Sequence, residues 1–201
     1  MIPARRVMAW LTLAAVAAAG GWLWLDGAVG PGEQTRMDPT ALSDKGIGPL
    51  YLGQSFDTAE SLAFRVAPET AFSGIGCSGL DEIRYDGWLG EHPVGIMAMA
   101  QQGRIQEIEA TLFEPKRADS LEACRALRDE FAQGFIERFG PYQASWEISK
   151  PVSRELLAQT GPVVMMARWF RAGGSCYVSA HFGPADGTAL RPEMAGFASL
   201  D

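Results

Sequence analysis

The sequence predicts an α+β domain: one antiparallel sheet of about six strands with two helices packed on a single face. An N-terminal apolar segment, a transmembrane or signal helix, precedes it. Three observations carry this. Residues 119–140, DSLEACRALRDEFAQGFIERFG, form a strongly amphipathic helical pattern. Several later and earlier runs alternate apolar and polar residues with a period of two. Finally, the order helix–three strands occurs twice, and the hairpin-length connections make the strands antiparallel.

In the 119–140 helix, Leu121, Cys124, Leu127, Phe131, Phe135 and Phe139 recur at steps of three and four and share one face. Arg125, Asp129, Glu130 and Glu137 occupy the other. Asp119 with Glu122 reads as a capping box, and Gly140-Pro141 stops the helix. Gly134, mid-helix, reads as a place of close approach to whatever lies beneath. So broad an apolar stripe calls for a sheet to cover.

From the start of the chain, Arg5 and Arg6 precede an uncharged run from Val7 to Leu25, 19 residues long. At 1.5 Å per residue that run nearly matches a hydrocarbon core of about 30 Å. Trp10, Trp22 and Trp24 lie near its ends, as interfacial aromatics do. Residues 1–27 are therefore a signal anchor, spanning the membrane through residues 7–25, or a cleaved signal peptide with Ala17-Ala18-Ala19 as the cleavage site. No cysteine follows to carry a lipid. Residues 28–45 read as a linker, rich in Gly, Pro, Asp, Ser and Thr.

A domain over 46–185 follows, as two αβββ units, 46–114 and 119–185. Ile47, Leu50 and Leu52 suggest a short strand. Asp57 and Glu60 cap a helix that runs to Ala67, with Phe56 as a hydrophobic staple, and Pro68 stops it. Residues 68–79 read as a loop holding Cys77. Strands follow at 81–87, 93–100 and 104–113, with Gln102-Gly103 as a tight turn and Glu114-Pro115-Lys116 as the stop. After the central helix, strands are expected along Tyr142 to Ile148, at 162–171 and at 175–183. Residues 186–201 read as a tail.

The opening GIGPLYLGQSFDTAE resembles the G-x-G-P-x-x-L-G-x-S/T start of small secreted bacterial domains. Together with the twice-repeated helix–three-strand order, the chain resembles the tandem fold of β-lactamase-inhibitor proteins and their outer-membrane-assembly lipoprotein relatives. The resemblance implies a non-catalytic protein that works by contact. It carries no binding residue over to this chain, and the missing lipid-attachment cysteine departs from the lipoprotein branch.

Composition narrows function. Removing Arg5 and Arg6 leaves 15 basic against 24 acidic residues, a poor balance for gripping nucleic acid or anionic lipid. In an exported protein cysteines read first as disulfides. Cys124 on the helix stripe and Cys176 on the apolar side of the last strand should point into the same helix–sheet gap. They are paired here, a closure that stabilises by about 3–4 kcal/mol. Cys77 is left as a small buried residue, a loop thiol, an intermolecular bridge or an alternative partner.

No convergent catalytic set, cofactor motif or metal-ligand spacing is legible, so no catalytic, cofactor or metal residue is assigned. His92, in GEHPVG, and His181, on a strand, form no recognisable motif with Cys77. Ser153, Ser175 and Ser179 have no G-x-S-x-G setting, and Gly173-Gly174 joins two strands rather than a strand and a helix. Asp81, Glu82 and Asp86 are the densest carboxylates and read as a solvated strand edge. Met97 and Met99 read as packing residues rather than a soft-metal surface. Tyr85, Trp88 and Trp146 are candidates for a partner surface. The resulting expectation is an inner-membrane, single-pass protein whose periplasmic domain contacts another envelope or inner-membrane protein. A periplasmic enzyme and a small-ligand binder are the alternatives, and a soluble periplasmic form follows if the segment is cleaved.

Overall fold

The computed structural model describes residues 38–183. The anchor or signal at 1–27 and the tail at 186–201 lie outside the described residues. Among those described, no helix is long and apolar enough to cross a membrane. The domain is α+β, with a large antiparallel sheet and three helices.

Three two-residue strands come first: β1 (Leu42–Ser43), β2 (Gly46–Ile47) and β3 (Leu50–Tyr51). They pair into a small antiparallel sheet of their own. The region read as the end of a linker thus includes β1. Its anchor is Tyr85, which is buried and donates its hydroxyl to the Pro39 carbonyl at 2.9 Å and to that of Ile47 at 3.3 Å. Tyr85 is therefore not the exposed partner-surface aromatic expected from the sequence. Burial pushes its phenol pKa far up, with Asp38 adding to the effect.

Helix α1 (Phe56–Val66) follows, then β4 (Phe72–Ile75), β5 (Asp81–Leu89), β6 (His92–Gln101), β7 (Arg104–Leu112) and β8 (Lys116–Arg117). The cap of α1 falls on Ser55, one residue before the expected staple, which places Asp57 in the first turn. The β6–β7 hairpin turns at Gln102 and Gly103, both at positive φ, 53° and 72°.

The second half contains α2 (Leu121–Phe131), α3 (Gln133–Phe139), β9 (Ala144–Ser149), β10 (Ser153–Thr160), β11 (Val163–Phe170) and β12 (Ser175–Phe182). The predicted single helix over 119–140 is two helices divided at Ala132. Its N-cap is Ser120, whose hydroxyl accepts the Ala123 amide at 3.1 Å, rather than Asp119. Gly134 is exposed, and a Cβ there would meet nothing within 4 Å, so no close approach explains it. Its weak helix propensity beside the break is the local reason the helix divides there. Arg128 is buried on α2, with its guanidinium on Asp129 at 2.7 Å and 5.2 Å above the Tyr142 ring. Tyr142 donates its hydroxyl to Asp129. Partial burial and that carboxylate push its pKa up to about 12.

The main sheet has nine strands, not six. Its path is β4-β5-β6-β7-β12-β11-β10-β9, antiparallel throughout, with β8 alongside β12. Each half is a helical segment followed by four strands of the main path, with the two-residue β8 in addition after the first four, so the order is αββββ twice apart from β8. The three strands missed from sequence are β4, β8 and β10. SRELLAQT of β10 is made of good helix formers, yet it lies between β9 and β11 and is buried on both faces, so tertiary packing overrides propensity.

All three helices cover one face. Ile83, Ile96, Ile108, Ala110, Val178, Ala180, Phe182, Met165 and Leu156 point into that core with Phe131 and Phe135. Helix α1 packs on β5 and β7, α2 on β11 and β12, and α3 on β10.

Two outcomes follow. Tyr85→Phe leaves both carbonyls without their hydroxyl and should cost about 1–3 kcal/mol in urea unfolding. Gly134→Ala should stabilise by about 1 kcal/mol in the same assay, because no contact or special φ opposes it.

Candidate functional site

The side chains of alternate parity form the sheet's second face, and among the described residues no helix packs on it. Register places them in rows. One row runs Asp86, Gly95, Thr111, Ser179, Met166, Leu157, Trp146. The next runs Phe72, Arg84, Met97, Glu109, His181, Val164, Gln159. This open face is the candidate site.

The two wings differ. On the β9–β11 wing Leu157 and Val164 are buried, with Trp146, Met166 and His181 as cross-strand neighbours. Glu155, also buried, is held by Lys150 at 2.9 Å and Arg168 at 2.7 Å. Trp146 is half-buried here. Phe170 and Tyr177 pack edge to face, 5.5 Å between centroids.

The β4–β7 wing is more open. Trp88 is 62% exposed, and Phe72 and Phe113 are exposed with it. Phe113 follows β7, where Glu114-Pro115 interrupts what would otherwise continue into β8. Glu82 is buried and clasped by Arg84, with Nε to Oε2 at 3.1 Å. Met97 and Met99 are half-buried on this face, between the carboxylate-bearing strands β5 and β7.

At the centre, Ser179 and the His181 Nε2 lie 2.7 Å apart, and Glu107 faces Nδ1 at 3.4 Å. Glu109 lies 3.6 Å from Nε2 and accepts the Thr111 hydroxyl at 2.7 Å. A hydroxyl–imidazole–carboxylate chain has the form of a nucleophile relay. Ser179 is only 4% exposed, however, which denies it contact with an ester or amide substrate. The chain instead ties β12 to β7 through side chains. Sequence reasoning placed His181 on the polar side of its strand. It placed Ser179 on that same side and missed Glu107 and Glu109, because a cross-strand register is not visible from one strand.

The remaining candidates do not converge. His92 begins β6 and packs edge to face on Phe131 at 5.7 Å. Asp81 and Glu82 are consecutive in β5 and so point to opposite faces. Glu82 and Asp86 share a face about 13 Å apart along the strand, too far for a shared acid–base site. Cys77 is exposed in the β4–β5 connection and free. Ser153 is buried, and Ser175 bonds only to the nearby Gly173 carbonyl. Among the described residues no cluster of His, Cys, Asp and Glu could hold a metal ion.

Cys124 and Cys176 lie at disulfide distance, with sulfurs 2.01 Å apart and Cα atoms 5.5 Å apart. The bond fastens α2 to β12 beneath the open face.

No family model matches the sequence. No solved structure matches it. Over 90 residues it is 34% identical to a Bacillus subtilis (strain 168) protein described as the uncharacterized oxidoreductase YcsN. That stretch is 44% of this chain and 28% of the relative, so the chain spans under a third of that protein's length.

The disulfide closes a separation of 52 residues. Replacing both cysteines, Cys124→Ser with Cys176→Ser, should lower unfolding free energy by about 4 kcal/mol in urea titrations. Non-reducing peptide mapping should recover these two cysteines joined and Cys77 apart.

Proposed function

We propose that this chain is a non-catalytic contact module of the bacterial envelope. Residues 7–25 anchor it in the inner membrane, and its domain stands in the periplasm, docking another envelope or inner-membrane protein on the open sheet face. The observation that carries this reading is a broad sheet face on which no helix packs among the described residues, bearing exposed Trp88, Phe72, Phe113 and Tyr177. Large aromatics are the usual anchors of protein–protein contacts, and few monomers leave several on one face. The disulfide-distance pair accords with an oxidising compartment. The acidic balance argues against nucleic acid as the partner.

An enzymatic reading draws on the oxidoreductase relative. That description belongs to a protein of which this chain spans 28%. The all-antiparallel sheet also leaves no strand–glycine turn–helix crossover of the dinucleotide-binding kind among the described residues.

Tagged full-length protein, extracted from its own membranes in mild detergent, should bring down a stoichiometric envelope partner at the full-length mass. Trp88→Ala should weaken that capture by roughly 30-fold, the equivalent of losing a hot-spot anchor. Recovery of the protein alone, shortened and soluble, would overturn the anchored contact reading. Oxidation–reduction activity in such a sample would favour the enzyme.

A further inference from the structure

Glycine weakens a strand, so each one within a strand calls for a reason. Gly87 has one: a Cβ there would lie 2.6 Å from the Thr40 methyl. Gly74 has one as well, since its Cβ would press the Phe72 ring at 3.0 Å. Gly95 has none of this kind. It sits within β6, its φ is not positive, and an added Cβ would make only ordinary contacts of 3.6 and 4.0 Å with the Phe113 ring. The fold would accept a Cβ there. What glycine provides at this position is space.

That space is a hollow of about 350 Å³ on the open face, walled by Arg84, Asp86, Met97, Glu109, Thr111 and Phe113. Asp86 and Thr111 flank Gly95 in register, and Glu109 lies one row away beside Met97. Phe113 supplies a half-exposed aromatic wall. The charges are unbalanced. Arg84 is committed to Glu82. Among the described residues neither Asp86 nor Glu109 has a lysine or arginine partner, and Glu107 adds a third carboxylate beside His181.

Resting on the contact reading above, we propose that this hollow receives one arginine side chain of the docked partner protein. Its planar guanidinium would lie along the Phe113 ring and donate to the Asp86 and Glu109 carboxylates. Arginine fits better than lysine, because the site joins an aromatic wall to acceptors on two strands.

The probe is acetyl-arginine-amide, with acetyl-citrulline-amide as the neutral isostere, titrated into isotope-labelled full-length protein and followed by amide NMR shifts. Saturable shifts centred on Gly95 and Thr111 are expected for the arginine compound, with citrulline weaker by about tenfold or more. Asp86→Asn with Glu109→Gln should weaken the arginine compound by a similar factor. Gly95→Val should fill the hollow, abolish the shifts and raise the midpoint of thermal unfolding. Equal binding of citrulline, full binding by Gly95→Val, or no saturable shift would overturn the assignment. The two readings fail separately. A partner still captured by Gly95→Val sinks the arginine site and leaves the docking face standing. Capture that ignores Trp88→Ala while the peptide shifts persist does the reverse.

Discussion

One short stretch of strand pairing makes this sheet a single object. β7 and β12 meet along four residue pairs, from Ser179 opposite Thr111 to Phe182 opposite Ile108. Every other strand belongs to one αββββ half or the other. On the covered side the seam places Ala110 beside Ala180, and the row continues through Met165 to Ala158. Small residues at the centre of the row let the flanking helices approach the sheet, and the larger side chains fill the sides. On the open side the seam is reinforced by polar contacts, with His181 set among Ser179, Glu107 and Glu109. The Cys124–Cys176 pair then ties α2 to the same strand, β12. The shared core, the β8–β12 pairing and the His92–Phe131 contact add to this strip in joining the halves.

Legibility followed the physics of period and punctuation. Strands β5, β6 and β7 alternate cleanly because one face is buried and the other is not, and the Gln102-Gly103 turn marks its own position. The cysteine pair could be placed because helical and strand periods each point a residue into the same gap. Of the three missed strands, β8 is only two residues long, and the other two fail for opposite reasons. β4 is four residues containing Ser and Gly, too short to show a period. β10 is long enough, but it is buried on both faces, so alternation vanishes and its helix-forming composition misleads. Tyr85 was misread as a surface aromatic because its partners, Pro39 and Ile47, lie about forty residues away, and nothing local announces them. The candidate site was the least legible part. Its members come from eight strands, and its most telling residue is a glycine whose meaning depends on what surrounds it.

The repeat also shows how a duplicated architecture can separate support from contact. On both wings a buried glutamate is held by arginine, Glu82 by Arg84 along one strand and Glu155 by Arg168 across two. The wings diverge around that brace. The β9–β11 wing fills its open face with Leu157, Val164, Met166 and Trp146, and Glu155 is neutralised twice over. The β4–β7 wing leaves Asp86, Glu107 and Glu109 without a lysine or arginine partner among the described residues, with only His181 near the two glutamates, has no side chain at Gly95 and leaves Phe113 half exposed. Carboxylates without a lysine or arginine partner, set beside exposed rings, contribute little to folding and repel one another. They gain favourable interaction only when an opposite charge arrives with an apolar surface to cover the rings. On the contact reading proposed above, one half of the sheet serves chiefly its own stability and the other is the half offered to a partner.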